Sequence, residues 1–163
     1  MARKSKAPSG TPATVALERA GIEHGLHPYQ HDDGQSHFGE EAAAALGVDP
    51  RLIFKTLVVD TGSGLAVAVV PVATQLDLKA MATALGVKKV TMAEPAAASR
   101  SSGYVVGGIS PLGQRTPLPT VIDDNAERLD QMMVSAGKRG LQVQLRPSDL
   151  AALTDARFAP IGR

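Results

Sequence analysis

Residues 52–70 constrain the fold most. Leu52 to Val59 is a near-continuous apolar run interrupted by Lys55 and Thr56, and Leu65-Ala66-Val67-Ala68-Val69-Val70 follows after the loop Asp60-Thr61-Gly62-Ser63-Gly64. Runs of this length and β-branched content read as strands, and a Gly-containing loop between them reads as a hairpin connection. Two strands this apolar belong at the centre of a sheet, and other elements must cover them.

The rest of the chain supplies that cover by interleaving helices and strands. Thr11-Pro12 predicts a helix start, because Thr caps free N–H groups and Pro at the first helical position forfeits no hydrogen bond. The helix runs to about Ala20 and Gly21 ends it. Ile22 to Tyr29 alternates and predicts a strand entering a turn. Glu40 to Leu46, closed by Gly47, and Leu78 to Leu85, closed by Gly86, predict short Ala-rich helices. Val87 to Val90 then predicts a short strand, and Glu94-Pro95 to Ser99 a helix. Strands follow at Pro119 to Asp123, Met132 to Ser135 and Leu141 to Leu145, with a terminal helix over Pro147 to Leu153. No repeat or linker divides the chain. The expectation is one α+β domain over residues 11–163, built on a mixed, curved, barrel-like β-sheet flanked by helices and preceded by a disordered basic tail at residues 1–10.

Composition narrows the chemistry. The chain has 163 residues and no Cys, which excludes disulfides, a thiolate nucleophile and Cys-ligated zinc. No stretch reaches the roughly 20 apolar residues that span a bilayer, and no apolar segment follows the basic N-terminus, so a soluble, cytoplasmic protein is expected. The net charge is +1, yet Arg3, Lys4 and Lys6 fall in the first ten residues, leaving a body that is about neutral to acidic. Such a body has little of the general phosphate attraction used by a self-sufficient nucleic-acid binder.

Lys55 is the most informative single residue. A cation inside a β-run lies at a strand end, snorkels outward or faces a polar cavity. On a rigid strand with the Thr56 hydroxyl beside it, it can hold a carbonyl, carboxylate or phosphate and stabilise developing negative charge. The adjacent Gly107 and Gly108 either expose backbone N–H groups to an oxyanion or form a bulged turn between strands. His24, His27, His31 and His37 lie within fourteen residues of one another but have no metal-ligand spacing, and surface or turn roles are expected for them. No Gly-x-Ser-x-Gly elbow is present. Lys138-Arg139 is a compact basic turn, suited to a phosphate backbone or to keeping a hairpin soluble.

Several strings together resemble the YbaK-type Cys-tRNA(Pro)/Cys-tRNA(Cys) deacylase family, which is related to the editing domain inserted in many bacterial prolyl-tRNA synthetases. They are Thr11-Pro12-Ala13, Tyr29-Gln30-His31-Asp32, Phe38-Gly39-Glu40-Glu41, Phe54-Lys55-Thr56-Leu57, Pro71-Val72-Ala73, Gln75-Leu76-Asp77-Leu78-Lys79 and the run from Gly103 to Gly113. The resemblance implies trans-editing hydrolysis of mischarged Cys-tRNA(Pro) without a cofactor. It implies Lys55 and Gly107 as catalytic residues, and Tyr29, Phe38, Thr56, Gly108, Ser110 and Ser135 around the aminoacyl group. Lys138 and Arg139 would contact tRNA. The implied partners are the acceptor end of tRNA(Pro) and prolyl-tRNA synthetase, which would supply the tRNA recognition that the charge balance withholds. In such enzymes the substrate's own cysteine thiol attacks its ester carbonyl and leaves as a cyclic thiolactone, which suits a sequence without an evident triad. Gln142 stands where an acidic residue is expected and Ala136 where Gly is expected, both near the presumed pocket. A deacylase for Ala-tRNA(Pro) or for small residues broadly, a non-catalytic module that binds aminoacyl-tRNA or a synthetase, and a serine or metal hydrolase of small esters are the alternatives.

Overall fold

A computed structural model describes residues 10–32, 34 and 37–163, so the expected tail lies outside the described residues except for Gly10. Helix α1 spans Pro12–Ala20 as its caps predict. The Thr11 hydroxyl accepts from the Thr14 N–H at 3.1 Å, the Thr14 hydroxyl accepts from the Thr11 N–H at 2.9 Å, and Gly21 ends the helix at φ 67°. Such a cap stabilises a helix start by about 1 kcal/mol. Thr11 also donates to the Ala136 carbonyl, which pins α1 against β6 (Met132–Lys138), with Ala13 and Leu17 fully buried.

The hairpin forms as read: β2 (Phe54–Asp60) and β3 (Leu65–Pro71) pair antiparallel, with Lys55 opposite Val70. They lie inside a five-stranded sheet of order β4 (Thr91–Met92), β2, β3, β5 (Thr120–Asp123), β8 (Arg157–Ala159), in which β5 runs parallel to both β3 and β8. A second sheet orders β1 (Gly25–Pro28), β7 (Leu141–Leu145) and β6, all antiparallel. The two meet where Ile53 bridges Met133 and the Met133 N–H donates to the Leu52 carbonyl at 2.9 Å. The α+β fold is as expected, with its sheet divided in two and neither part closed.

Alternation along β2 and β3 gives the central sheet two buried faces. Phe54, Val67, Val69 and Ile122 pack with Leu17, Met132, Val143 and Leu150 on one face. On the other, Val59, Ala66, Ala68 and Val70 pack against Met81 and Ala82 of α3 (Leu78–Leu85). Each large aliphatic or aromatic side chain so buried contributes about 1.5–3 kcal/mol. A third cluster sets Ala42 and Ala43 of α2 (Phe38–Leu46) on Ile53, Val72 and Met133, which places α2 over the junction of the two sheets. Its first residue, Phe38, is thereby brought to β2. Asp123, 1% exposed, accepts from the N–H groups of Ile161 and Gly162 and ties down the C-terminal segment.

Three local expectations change. Val87 to Val90 is not a strand: the Val87 N–H closes the end of α3 on the Ala82 carbonyl, Val90 is buried, and the strand is the next pair, Thr91–Met92, which finds β2. The supposed connection after Ser135 is strand as far as Lys138, with a register shift between those two residues. β8 and a 3-10 turn at Asp124–Arg128 follow from no sequence signal read above. The remaining helices are α4 (Pro95–Ser102) and α5 (Pro147–Thr154).

Candidate active site

The junction of the sheets, α2 and the loop after α4 enclose a cleft of about 360 Å³. β2 supplies Lys55 and Thr56, the start of α2 supplies Phe38, β6 supplies Ser135, β7 supplies Gln142, and the loop supplies Val106, Gly107 and Ile109. Ile53, Phe54, Val58 and Val72 make the wall largely apolar. Lys55, Gly107, Phe38, Thr56 and Ser135, separated by up to 97 positions in sequence, therefore meet in one place.

Inside that wall several polar groups are unengaged. Among the described residues nothing pairs with the half-buried Lys55 ammonium. The Thr56 hydroxyl oxygen and the Gln142 Oε1 are buried without hydrogen-bond partners. Gln142 is only 6% exposed. Buried polar atoms left unpaired cost about 1–3 kcal/mol each, and both of these belong to residues of the cleft lining. Gln142 sits opposite Ser135 across the β6–β7 ladder, so both face the cleft.

Gly107 owes its conformation to a turn. The Gly108 N–H donates to the Val105 carbonyl at 2.9 Å, and Gly107 has φ +89°, the positive value that the third residue of a type II turn requires. Gly108 is thus engaged, whereas among the described residues the Gly107 N–H donates to nothing. A Cβ on Gly107 would come within 2.7 Å of the Phe38 ring, so the ring lies flush on this backbone. A Cβ on Gly108 would come within 2.9 Å of the Lys138 Cα, so this glycine lets the loop nest against the β6–β7 connection.

The other sequence candidates lie outside the lining. Tyr29 packs against the cluster of Ala42, Ala43, Ile53, Val72 and Met133. Ser110 is fully buried; its hydroxyl accepts from the Leu112 N–H and its carbonyl from Gln114. Lys138 and Arg139 are exposed, and Arg139 is committed to protein contacts: its Nε–H donates to the Val106 carbonyl at 2.8 Å and its guanidinium carbon stands 4.8 Å from the centroid of Phe38. Ala136 faces the main core, not the cleft.

The histidines split. His24 bonds its neighbour's Ile22 carbonyl, and His27 pairs with Gln144. His31 is not a surface group: its side chain is 12% exposed and meets Glu41 at 2.7 Å. Burial pushes the Glu41 carboxyl up, but the Asp32 N–H and His31 outweigh it and hold it below its ordinary value. His37 reaches the cleft lining, which nothing in its spacing signalled. Among the described residues the Thr56 hydroxyl has no hydrogen-bond partner and the Ser135 hydroxyl accepts from the Gly137 N–H, so neither cleft hydroxyl is seen bonded to a histidine. Among the described residues no group of three or more His, Asp or Glu side chains is placed to hold a metal ion, and no helix is long and apolar enough to cross a membrane.

Residues 35–153 match the family model of the aminoacyl-tRNA editing domain. A protein named as a candidate Cys-tRNA(Pro)/Cys-tRNA(Cys) deacylase of Enterococcus faecalis is 40% identical over 135 residues, covering 82% of each chain. Among solved structures, a candidate trans-editing enzyme for prolyl-tRNA synthetase superposes with TM-score 0.83 at 26% identity, covering 98% of this chain and 99% of its own. A hypothetical protein superposes with TM-score 0.83 at 25% identity, covering 94% and 100%.

Proposed function

The chain belongs to the aminoacyl-tRNA editing domain family, and on that footing we propose that it is a trans-editing deacylase that clears cysteine from Cys-tRNA(Pro). One observation carries the reading. Among the described residues, Lys55 with an unengaged ammonium and Gly107 with an unengaged N–H line one apolar cleft, in which no side-chain hydroxyl is paired with a base. Donors fixed in advance where an oxyanion develops are the largest single contribution to acyl-transfer catalysis, and an apolar wall strengthens them.

The substrate then brings its own nucleophile. The cysteine sulfur attacks the carbonyl carbon of its ester, a C–S bond forms, and the carbonyl electron pair moves onto oxygen facing Gly107 and Lys55. Collapse breaks the bond to the terminal ribose oxygen, which takes up a proton matching the one lost by the thiol. Cysteine leaves as a four-membered thiolactone that water opens. The enzyme's part is to fold the aminoacyl group into that pose, with the unpaired Gln142 Oε1 an acceptor for the α-ammonium and Phe38 and Ile109 limiting size. Size alone separates substrates differing by a methylene only about 10–200-fold, so the thiol completes the selection. The near-neutral body has little phosphate attraction of its own, which fits a cytoplasmic enzyme recruited by prolyl-tRNA synthetase, with the synthetase recognising the tRNA.

Single-turnover deacylation of Cys-tRNA(Pro) by the protein and by Lys55→Ala tests this. Loss of one oxyanion donor lowers the rate about 100-fold or more. Equal rates in the two proteins contradict the assignment.

A further inference from the structure

We infer that Arg139 is a positioning residue that sets the direction of the Gly107 N–H, an inference that rests on the deacylase reading above. The Val106 carbonyl and the Gly107 N–H belong to one planar trans peptide and point opposite ways. Arg139 Nε–H holds that carbonyl at 2.8 Å, so it holds the N–H on the other side of the same plane.

The control matters because this peptide is the central one of the Val105–Gly108 turn. Type I and type II turns differ by a flip of that peptide, and glycine at the third position tolerates both. In the flipped form the N–H leaves the cleft and the carbonyl oxygen, which repels an oxyanion, takes its place. Arg139 opposes the flip twice over, through the hydrogen bond and through its guanidinium against Phe38, the ring that lies on Gly107. A charged donor on the carbonyl also polarises the peptide and strengthens its N–H as a donor. Gly108 admits the close approach that lets Arg139 reach. This differs from a contact between Arg139 and tRNA phosphate, which would act on binding.

The experiment compares the protein with Arg139→Met and Arg139→Lys under single-turnover conditions, on Cys-tRNA(Pro) and on the cysteinyl ester of adenosine, which has no phosphate. Arg139 is exposed, so both variants should fold. Arg139→Met should lower the chemical step about 10- to 100-fold on both substrates, with tRNA affinity changed less than about threefold. Arg139→Lys, which keeps the charge but not the planar fork, should fall between. A loss confined to tRNA affinity, relieved at low salt and absent with the short ester, overturns the inference. The Gly107 amide resonance, measured by NMR, gives a reading independent of activity: it should shift or broaden in Arg139→Met, and an unchanged resonance overturns the inference. If the parent protein deacylates neither substrate, the deacylase reading falls, and the resonance alone decides the role of Arg139.

Discussion

Replacing Gly107 with Ala tests the turn and the chemistry together. Positive φ costs an L-residue about 1–2 kcal/mol, and at φ +89° the new Cβ would stand 2.7–2.8 Å from three atoms of the Phe38 ring. Moving that ring aside disturbs its contact with Arg139 and adds strain of about 1 kcal/mol. The sum, about 2–3 kcal/mol, is within the 5–15 kcal/mol stability of an ordinary domain, so Gly107→Ala should remain folded. The cheaper escape is for the turn to flip to type I, where alanine meets no φ penalty, and that carries the Gly107 N–H away from the cleft. Single-turnover deacylation of Cys-tRNA(Pro) should therefore drop about 100- to 1,000-fold, while circular dichroism and a thermal melt report an intact fold. A folded variant whose rate stays within twofold of the parent would refute the role given to this amide.

Gln142→Leu removes an unpaired buried acceptor, so the thermal midpoint of the free protein should hold or rise while kcat/KM for Cys-tRNA(Pro) falls about tenfold; a fall in both would mean that Gln142 serves the fold. Asp123→Ala strands the Ile161 and Gly162 N–H groups and should cost about 3 kcal/mol, read by urea denaturation, with hydrogen exchange rising first in the last three residues. Stability should have two pH edges. Glu41 has its carboxyl lowered in the fold, so its contribution is complete above the unfolded value of 4.5 and is lost as the pH falls through the lower folded value; Glu41→Gln should flatten that acid edge. Burial raises the Tyr104 hydroxyl to about 12 while it donates to the Leu112 carbonyl, so its contribution is complete below pH 10 and is lost between pH 10 and 12; Tyr104→Phe should remove that part of the alkaline loss.

Local signals in the sequence were enough for the elements that carry their own punctuation. α1 is bounded where Thr11 and Gly21 say it should be, and α3 ends where Gly86 says it should, because caps act within a turn of the chain; the Asp77 cap that opens α3 was not read from the sequence. The central hairpin was equally legible from its apolar runs. β4 and β8 were not: two and three residues are too short for a period, and they are strands because β2 and β5 leave edges for them. The junction of the two sheets is made where Ile53 meets Met133, eighty positions away, a pairing that no local pattern encodes.

The site divides in the same way. Lys55 stood out because a cation in a β-run needs a reason, and Gly107 because paired glycines do. That only one of the two glycine amides is left unengaged follows from the turn, not from the letters. The charge of Arg139 was readable as a basic turn; its hold on Phe38 and Val106 was not, since a guanidinium serves phosphate, carbonyl and ring alike and the choice is made by what the fold brings near.

The most direct test of the account is single-turnover deacylation of Cys-tRNA(Pro) beside Ser-tRNA(Pro) and Ala-tRNA(Pro). Serine differs from cysteine only by oxygen for sulfur, so thiol-assisted chemistry predicts rapid loss of cysteine with serine and alanine retained. Loss of alanine or serine at a comparable rate would contradict it, and would mean that water attacks the ester and the cleft serves small residues at large.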